Sequence, residues 1–214
     1  LVAVTYAPVV RHQFIWDDDA YIENNRTLDS AGGRRRIWLE PGATPQYYPL
    51  VFTSFWLEQR LWGREPAGYH VVSVLLHATS ALLLWLLLRR LGVPGALVAA
   101  MVFALHPMQG EAVAWATERK NTLSMLCYLL AATAYLNFRA GRGEPLDDPR
   151  WTAGVRRPRG PWCWYAAALG CYVLALCSKT VTASLPAALV VVTWWRRGRI
   201  DWRDVLPLLP WFAV

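Results

Sequence analysis

A chain of 214 residues that is 55% hydrophobic and only 17% charged is too apolar for an ordinary soluble domain. Its net charge of +7 would suit nucleic acid, but the basic residues stand at the ends of uncharged runs, where membrane topology accounts for them. The four cysteines, Cys127, Cys163, Cys171 and Cys177, lie in or beside apolar runs without CxxC or Cys/His spacing, which makes them small buried hydrophobes and excludes a zinc or redox motif.

In chain order, residues 1–10 are apolar but supply only half of the roughly 20 residues a span needs, and they read as the end of a first span. Residues 11–68 form a long loop. Within it Pro49 to Trp62 is a mostly apolar stretch opened by a proline suited to a helix's first turn, too short to cross and expected to be interfacial or re-entrant. Uncharged runs then predict spans at 69–88, 91–110, 121–138, 161–178 and 180–195, and 205–214 starts another. Between them fall an outer loop at 111–120, an inner loop at 139–160, and a turn at Lys179; Pro186 is positioned to kink the sixth span. The expected fold is all-α: a polytopic α-helical membrane protein whose long first extracytoplasmic loop carries an interfacial helix.

Arg89 and Arg90, then Arg139, Arg142, Arg150, Arg156, Arg157 and Arg159, then Arg196, Arg197, Arg199 and Arg203 fall on one side of these spans, which is expected to be cytoplasmic. Trp162, Trp164, Trp194, Trp195 and Trp202 gather at the same ends, where indole rings favour the interface. Arg34, Arg35 and Arg36 lie on the other side, in a loop about as long as the ~60 residues to which the charge rule applies.

On that outer side Asp17, Asp18 and Asp19 follow Phe14, Ile15 and Trp16. Crowded carboxylates raise one another's pKa, which would suit one of them to act as a general base; the alternative is a solvated acidic turn. The second outer loop contains His106, Glu111, Trp115, Glu118, Arg119 and Lys120. If helical after Gly110, it sets Glu111, Trp115, Glu118 and Arg119 on one face. Arg119 and Lys120 could then clamp a phosphate, with Glu111 orienting them or meeting an acceptor, or they could simply snorkel at the start of a span. Lys179, the only charge in its hairpin, is a further phosphate-clamp candidate. His70 and His77 share a helix face, yet no third ligand is spaced to complete a metal site.

Phe14-Ile15-Trp16-Asp17-Asp18-Asp19 with Asn24 and Asn25 downstream, Tyr47-Tyr48-Pro49-Leu50, Gly68-Tyr69-His70, His106-Pro107 followed by Glu111, Trp115 and Arg119-Lys120, and Ser178-Lys179-Thr180 together resemble the transmembrane and tetratricopeptide-repeat O-mannosyltransferases and their bacterial relatives, in the GT-C glycosyltransferase superfamily. The resemblance implies an inverting transferase. It would take a sugar, mannose or a similar hexose, from a polyprenyl-phosphate carrier in the bilayer and pass it to a protein hydroxyl on the extracytoplasmic side of a bacterial inner membrane or endoplasmic reticulum. It also implies that Asp17 and Asp18 carry catalysis and that Arg119, Lys120 and Lys179, with His106 and Glu111, hold the lipid phosphate. Asp19, Tyr47, Tyr48, His70 and Trp115 would line the acceptor pocket. A divalent cation, Mg²⁺ or Mn²⁺, could serve the acidic cluster. Further spans and a repeat array are expected after residue 214. Two other readings are a transporter or flippase built on His70, His77 and Lys179, and a noncatalytic anchor for a repeat domain.

Overall fold

The structure is a computed structural model that describes residues 1–152 and 160–213; Arg156, Arg157, Arg159 and Val214 lie outside the described residues. Those described form helices and turns, with no strand among them.

Residues 1–10 do not continue as one helix. Helix α1 (Val2–Thr5) gives way to a 3₁₀ turn, Ala7–Arg11, because Pro8 lacks the N–H that an α-helix would need there. The first loop is a folded cap with its own core. A π-helical turn (Asp19–Glu23) leads to α2 (Arg26–Asp29), whose first turn is capped by the Asn25 side chain accepting from Thr27 N at 3.0 Å. Helix α3 (Gly33–Leu39) starts so close to the Thr27 carbonyl that a Cβ at Gly33 would collide with it. Helix α4 (Pro49–Trp62) begins on its proline and ends at Gly63, where φ is 62°. Ile22, Leu28, Ile37, Val51, Phe52 and Phe55 are buried together in this cap. Helix α4 therefore turns its apolar side to protein, while Leu57 and Leu61 stay exposed.

Helix α5 (Pro66–Arg90) has 25 residues and is, among the described helices, the one long and apolar enough to cross a membrane. Helix α6 (Ala96–Leu105) has only ten. The run 91–110 is cut short by left-handed Gly92 and Gly95 at its start and by His106, extended before Pro107, at its end. Then come α7 (Gln109–Ala114), α8 (Arg119–Gly141), α9 (Pro149–Thr152), α10 (Pro161–Leu176), α11 (Leu185–Arg197) and α12 (Trp202–Val205), with a closing 3₁₀ segment, Leu206–Ala213. Pro186 sits in the first turn of α11 and starts that helix instead of kinking it. Helix α8 is central. It packs on α5 and along α10, and Tyr135, Phe138, Tyr172, Leu185, Leu189 and Trp211 fill the space between α8, α10, α11 and the closing segment. On the outside, Leu75, Leu82, Leu97, Val98 and Val102 of α5 and α6 are each more than half exposed.

At the basic end, cations pair with acidic side chains inside the protein. Arg90 donates to Asp147 at 2.6 and 3.0 Å and to Asn137 at 2.7 Å. Arg139, fully buried, reaches Asp204 at 2.6 Å, and Arg197 reaches the same carboxylate at 2.5 Å. Arg90 and Asp147 lie 57 positions apart and Arg139 and Asp204 65, so spacing along the chain could not reveal these two pairs.

At the opposite end the cap is bolted to the bundle by Arg119. Its guanidinium is fully buried and forks onto both carboxylate oxygens of Glu58 in α4, one at 3.1 Å. It also donates to Ser73 Oγ at 3.1 Å and to the Tyr69 carbonyl at 2.7 Å in α5. Burial pushes the Glu58 carboxyl above the usual range, with Arg119 pulling part of the way back. A second tie is backbone: Leu50 N donates to the Cys177 carbonyl at 3.2 Å, joining the start of α4 to the end of α10. Replacing one partner of a buried pair strands the other charge, so Arg119→Met should lower stability by about 3–5 kcal/mol. Glu58→Leu with Arg119→Met should recover most of that loss. Thermal unfolding in detergent reads both, and a single variant as stable as the parent would refute the bolt.

Candidate active site

The acidic run leaves the 3₁₀ turn through a backbone outlier. Trp16 has φ of 49°, the one positive value outside glycine among the described residues, and such a conformation costs a bulky side chain about 1–3 kcal/mol. The tight turn is closed by Asp18 N donating to the Ile15 carbonyl at 3.1 Å. Its effect is to point successive carboxylates apart. Asp17 and Asp19 are exposed, while Asp18 is fully buried. Asp18 Oδ2 accepts from Ile15 N at 3.1 Å, and Oδ1 accepts from both Thr117 N at 2.7 Å and Thr117 Oγ1 at 2.5 Å. Asp18 thus ties the first outer loop to the second across 99 positions of sequence.

Around this tie the acidic groups feel one another. The Tyr21 hydroxyl is pushed up to about 12, first by burial and then by the negative field of Asp17, Tyr48 and Glu118. Glu23, which shares a hydrogen bond with Asp19, is held above the usual carboxylate range. The π-helical turn Asp19–Glu23 carries these groups, a geometry that recurs at functional sites.

The second outer loop is not one helix. Helix α7 stops at Ala114, Trp115 is extended with φ −94° and ψ 117°, and a 3₁₀ turn (Ala116–Glu118) precedes α8. The shared face expected for Glu111, Trp115, Glu118 and Arg119 is therefore broken, leaving Glu111 exposed and Arg119 turned inward. Paired with Glu58 and fully buried, Arg119 is not presented at the surface as a phosphate clamp. Lys120 lies 2.7 Å from Glu118. Asn121 Nδ2 donates to Glu118, and Lys179 Nζ, arriving from the turn after α10, donates to Asn121 Oδ1. Asn121 and Lys179 line a cavity of about 540 Å³ between α5, α8 and the α10–α11 turn. Ser80, Thr122, Ser124, Tyr128 and Ser184 add hydroxyls to its wall, while Phe103, Met108, Met125 and Val181 add apolar surface.

Other expected site residues are dispersed. His106 is exposed and its Nδ1 accepts from Met108 N at 3.2 Å. Tyr47 is exposed and donates to the Trp38 carbonyl at 3.0 Å, whereas Tyr48 packs on the cap core. His70 is fully buried beside Phe14, with neither ring nitrogen in good hydrogen-bonding geometry, although the His12 backbone and the Asp18 field lie near. His77 Nε2 donates to the Ala104 carbonyl at 3.0 Å, which gives it a structural partner. Among the described residues no three His, Cys, Asp or Glu side chains gather as metal ligands. Thr117, Asn121 and Tyr21 were not singled out by sequence. Asn121 opens an uncharged run and reads as the first residue of a span, and nothing local distinguishes Thr117 or Tyr21.

Two loops joined at a buried carboxylate, the second leading through Asn121 to a lysine-bearing cavity, are the arrangement on which similarity to glycosyltransferases bears: the chain is a sequence relative of the protein O-mannosyl-transferases. It is 35% identical over 147 residues to protein O-mannosyl-transferase Tmtc1 of Drosophila melanogaster, covering 63% of this chain and 17% of that protein. Against Drosophila Tmtc2 it is 31% identical over 94% of this chain and 22% of the relative, and against human TMTC2 29% over 70% and 19%. The chain thus spans about a fifth of the length of these curated relatives. No protein-family model matches it. No solved structure matches it either.

If Thr117 holds Asp18, Thr117→Val should cost about 1–3 kcal/mol, the worth of a hydrogen bond to a charged group. It should also speed amide exchange at residues 15–19 and 115–118 together. Faster exchange in one loop alone would contradict the tie.

Proposed function

We propose that this chain is the donor-side part of a membrane glycosyltransferase that moves a sugar from a polyprenyl-phosphate carrier to a protein hydroxyl on the extracytoplasmic side. The names of its relatives support mannose as the sugar and protein as the acceptor. The observation that carries the reading is the Asp18–Thr117 tie, which holds exposed Asp17 next to the loop whose following residues reach Lys179. Asp17 takes the proton of the acceptor hydroxyl as its oxygen attacks the anomeric carbon. The bond from that carbon to the phosphate oxygen breaks on the opposite face, and the lipid phosphate departs with the electron pair. Lys179, aided by Asn121 and the hydroxyls of the cavity wall, neutralises the departing charge, while the cavity's apolar side accepts the first part of the lipid. Asp18 is a positioning residue here, since both its oxygens are already occupied. Lys120 stays on Glu118 and keeps that carboxylate from repelling the phosphate.

A multi-pass arrangement is part of the proposal. It is supported by the length and composition of α5, by the exposed aliphatic face of α5 and α6, and by exposed Trp162, Trp194, Trp195 and Trp202 at one end. A Mg²⁺ or Mn²⁺ ion, if used, would enter with the phosphate oxygens of the donor, and EDTA would then slow transfer.

In the full-length protein with a polyprenyl-phosphate hexose, Asp17→Asn should slow transfer by about 10²–10⁴-fold, the usual contribution of a general base. Wild-type turnover in that variant would end the assignment. Lys179→Met should raise the donor KM by about tenfold or more while leaving the acceptor KM unchanged. Lipid or substrate crossing the bilayer without glycosidic bond formation would turn the case toward a transporter.

A further inference from the structure

Trp16 and Trp115, one from each outer loop and each within two residues of the Asp18–Thr117 tie, meet with ring centroids 5.2 Å apart and an interplanar angle of 83°. Edge-on contact covers an edge of one indole and leaves a ring face open, and Trp16 is 76% exposed. Two uncompensated costs fall on this one pair. The Trp16 backbone is held at positive φ, and the Trp115 indole N–H is buried without a hydrogen-bond acceptor. Such backbone strain clusters at active sites and ligand clamps, and a buried donor without an acceptor calls for an explanation. The neighbours define the chemistry a ligand would need: exposed Asp17 and Asp19 on either side of the loop accept hydrogen bonds from hydroxyl groups, and the open indole face attracts polarised C–H bonds. Hydroxyls at the rim and C–H groups on a flat face describe a pyranose ring.

We propose that Trp16, steadied by Trp115, is the sugar-binding platform of the site: the hexose of the donor stacks on its indole while its hydroxyls meet Asp17 and Asp19. The donor's ring is favoured over the acceptor because Ala112 and Asn121, on either side of Trp115 in the same segment, line the cavity assigned to the lipid phosphate. The proposal places the ring of a donor held at its phosphate by Lys179 on this indole pair. The positive φ fits this role, since strained backbone clusters at ligand sites and the Trp16 side chain stands outward. The proposal rests on the transferase reading above.

The test uses full-length protein in lipid nanodiscs, with donor and acceptor peptide varied separately. Trp16→Ala should raise the donor KM about tenfold, the scale of one lost aromatic contact, with the acceptor KM within about twofold of the parent. Trp16→Phe keeps an aromatic face and should stay within about threefold of wild type. Trp16→Gly relieves the backbone, so it should melt no lower than the parent while its donor KM rises as for the alanine variant. A residue that served packing alone would show the reverse, a lower melting temperature with donor KM unchanged, and that result overturns the platform. So does a rise confined to the acceptor KM. Asp17→Asn measured alongside separates the two levels. If Asp17→Asn is inactive and Trp16→Ala is normal, only the platform fails; if Asp17→Asn is active, the transferase reading beneath it fails.

Discussion

One buried cation sets the geometry on which everything at the outer end depends. Arg119 stands at the first position of α8 and spreads its guanidinium over Glu58, Ser73 and the Tyr69 carbonyl, touching α4 and α5 at once. The planar fork suits this task, because it satisfies a carboxylate with two parallel bonds and still has donors for other helices. A lysine could not. Desolvating this charge is expensive, and the arrangement is tolerable only because its donors meet acceptors inside the core. What it secures is the angle at which the folded cap sits on the bundle.

From that bolt the rest of the site follows in a few steps of backbone. Two residues before Arg119, Thr117 donates to Asp18 through both its backbone N–H and its hydroxyl. Two residues after it, Asn121 reaches both Glu118 and Lys179. The short stretch from Trp115 to Asn121 therefore distributes its side chains among the cap, the acidic loop and the cavity. It manages this because it is not a regular helix: an extended residue followed by a 3₁₀ turn rotates successive side chains out of the register that α-helical spacing would impose. The same irregularity lets one short stretch bond to Asp18 through Thr117 and to Lys179 through Asn121.

How far the residues alone foretold this varies with the kind of signal. Helical class was visible in the long uncharged runs, and the start of α4 was visible in Pro49, since proline acts locally. The meeting of the acidic run with the second loop could be guessed from shared motifs. The role of Arg119 could not: a cation heading an apolar run looks the same whether it snorkels to water or turns inward to Glu58, and only the three-dimensional position of a glutamate 61 residues earlier decides. The partners of Arg90 and Arg139, at Asp147 and Asp204, were hidden for the same reason. Pattern along a chain reports what a residue prefers, while ion pairing across elements depends on who happens to be adjacent. The division among Asp17, Asp18 and Asp19 was equally hidden, because three identical side chains are sorted into buried and exposed by a backbone twist at Trp16 that composition does not announce.

The peptide contact between Leu50 and Cys177 has an evolutionary implication. Side chains at both positions can drift freely without disturbing it, since neither contributes an atom to the bond. The mechanical link from the start of α4 to the hinge bearing Lys179 is accordingly written in the main chain, where ordinary substitution cannot erase it. Only an imino acid at position 50, by deleting the donor, would cut the connection. Relatives that have diverged widely at these two sites are therefore expected to retain the link, and an insertion or deletion that shifts one partner past the other would damage it far more than any exchange of residues.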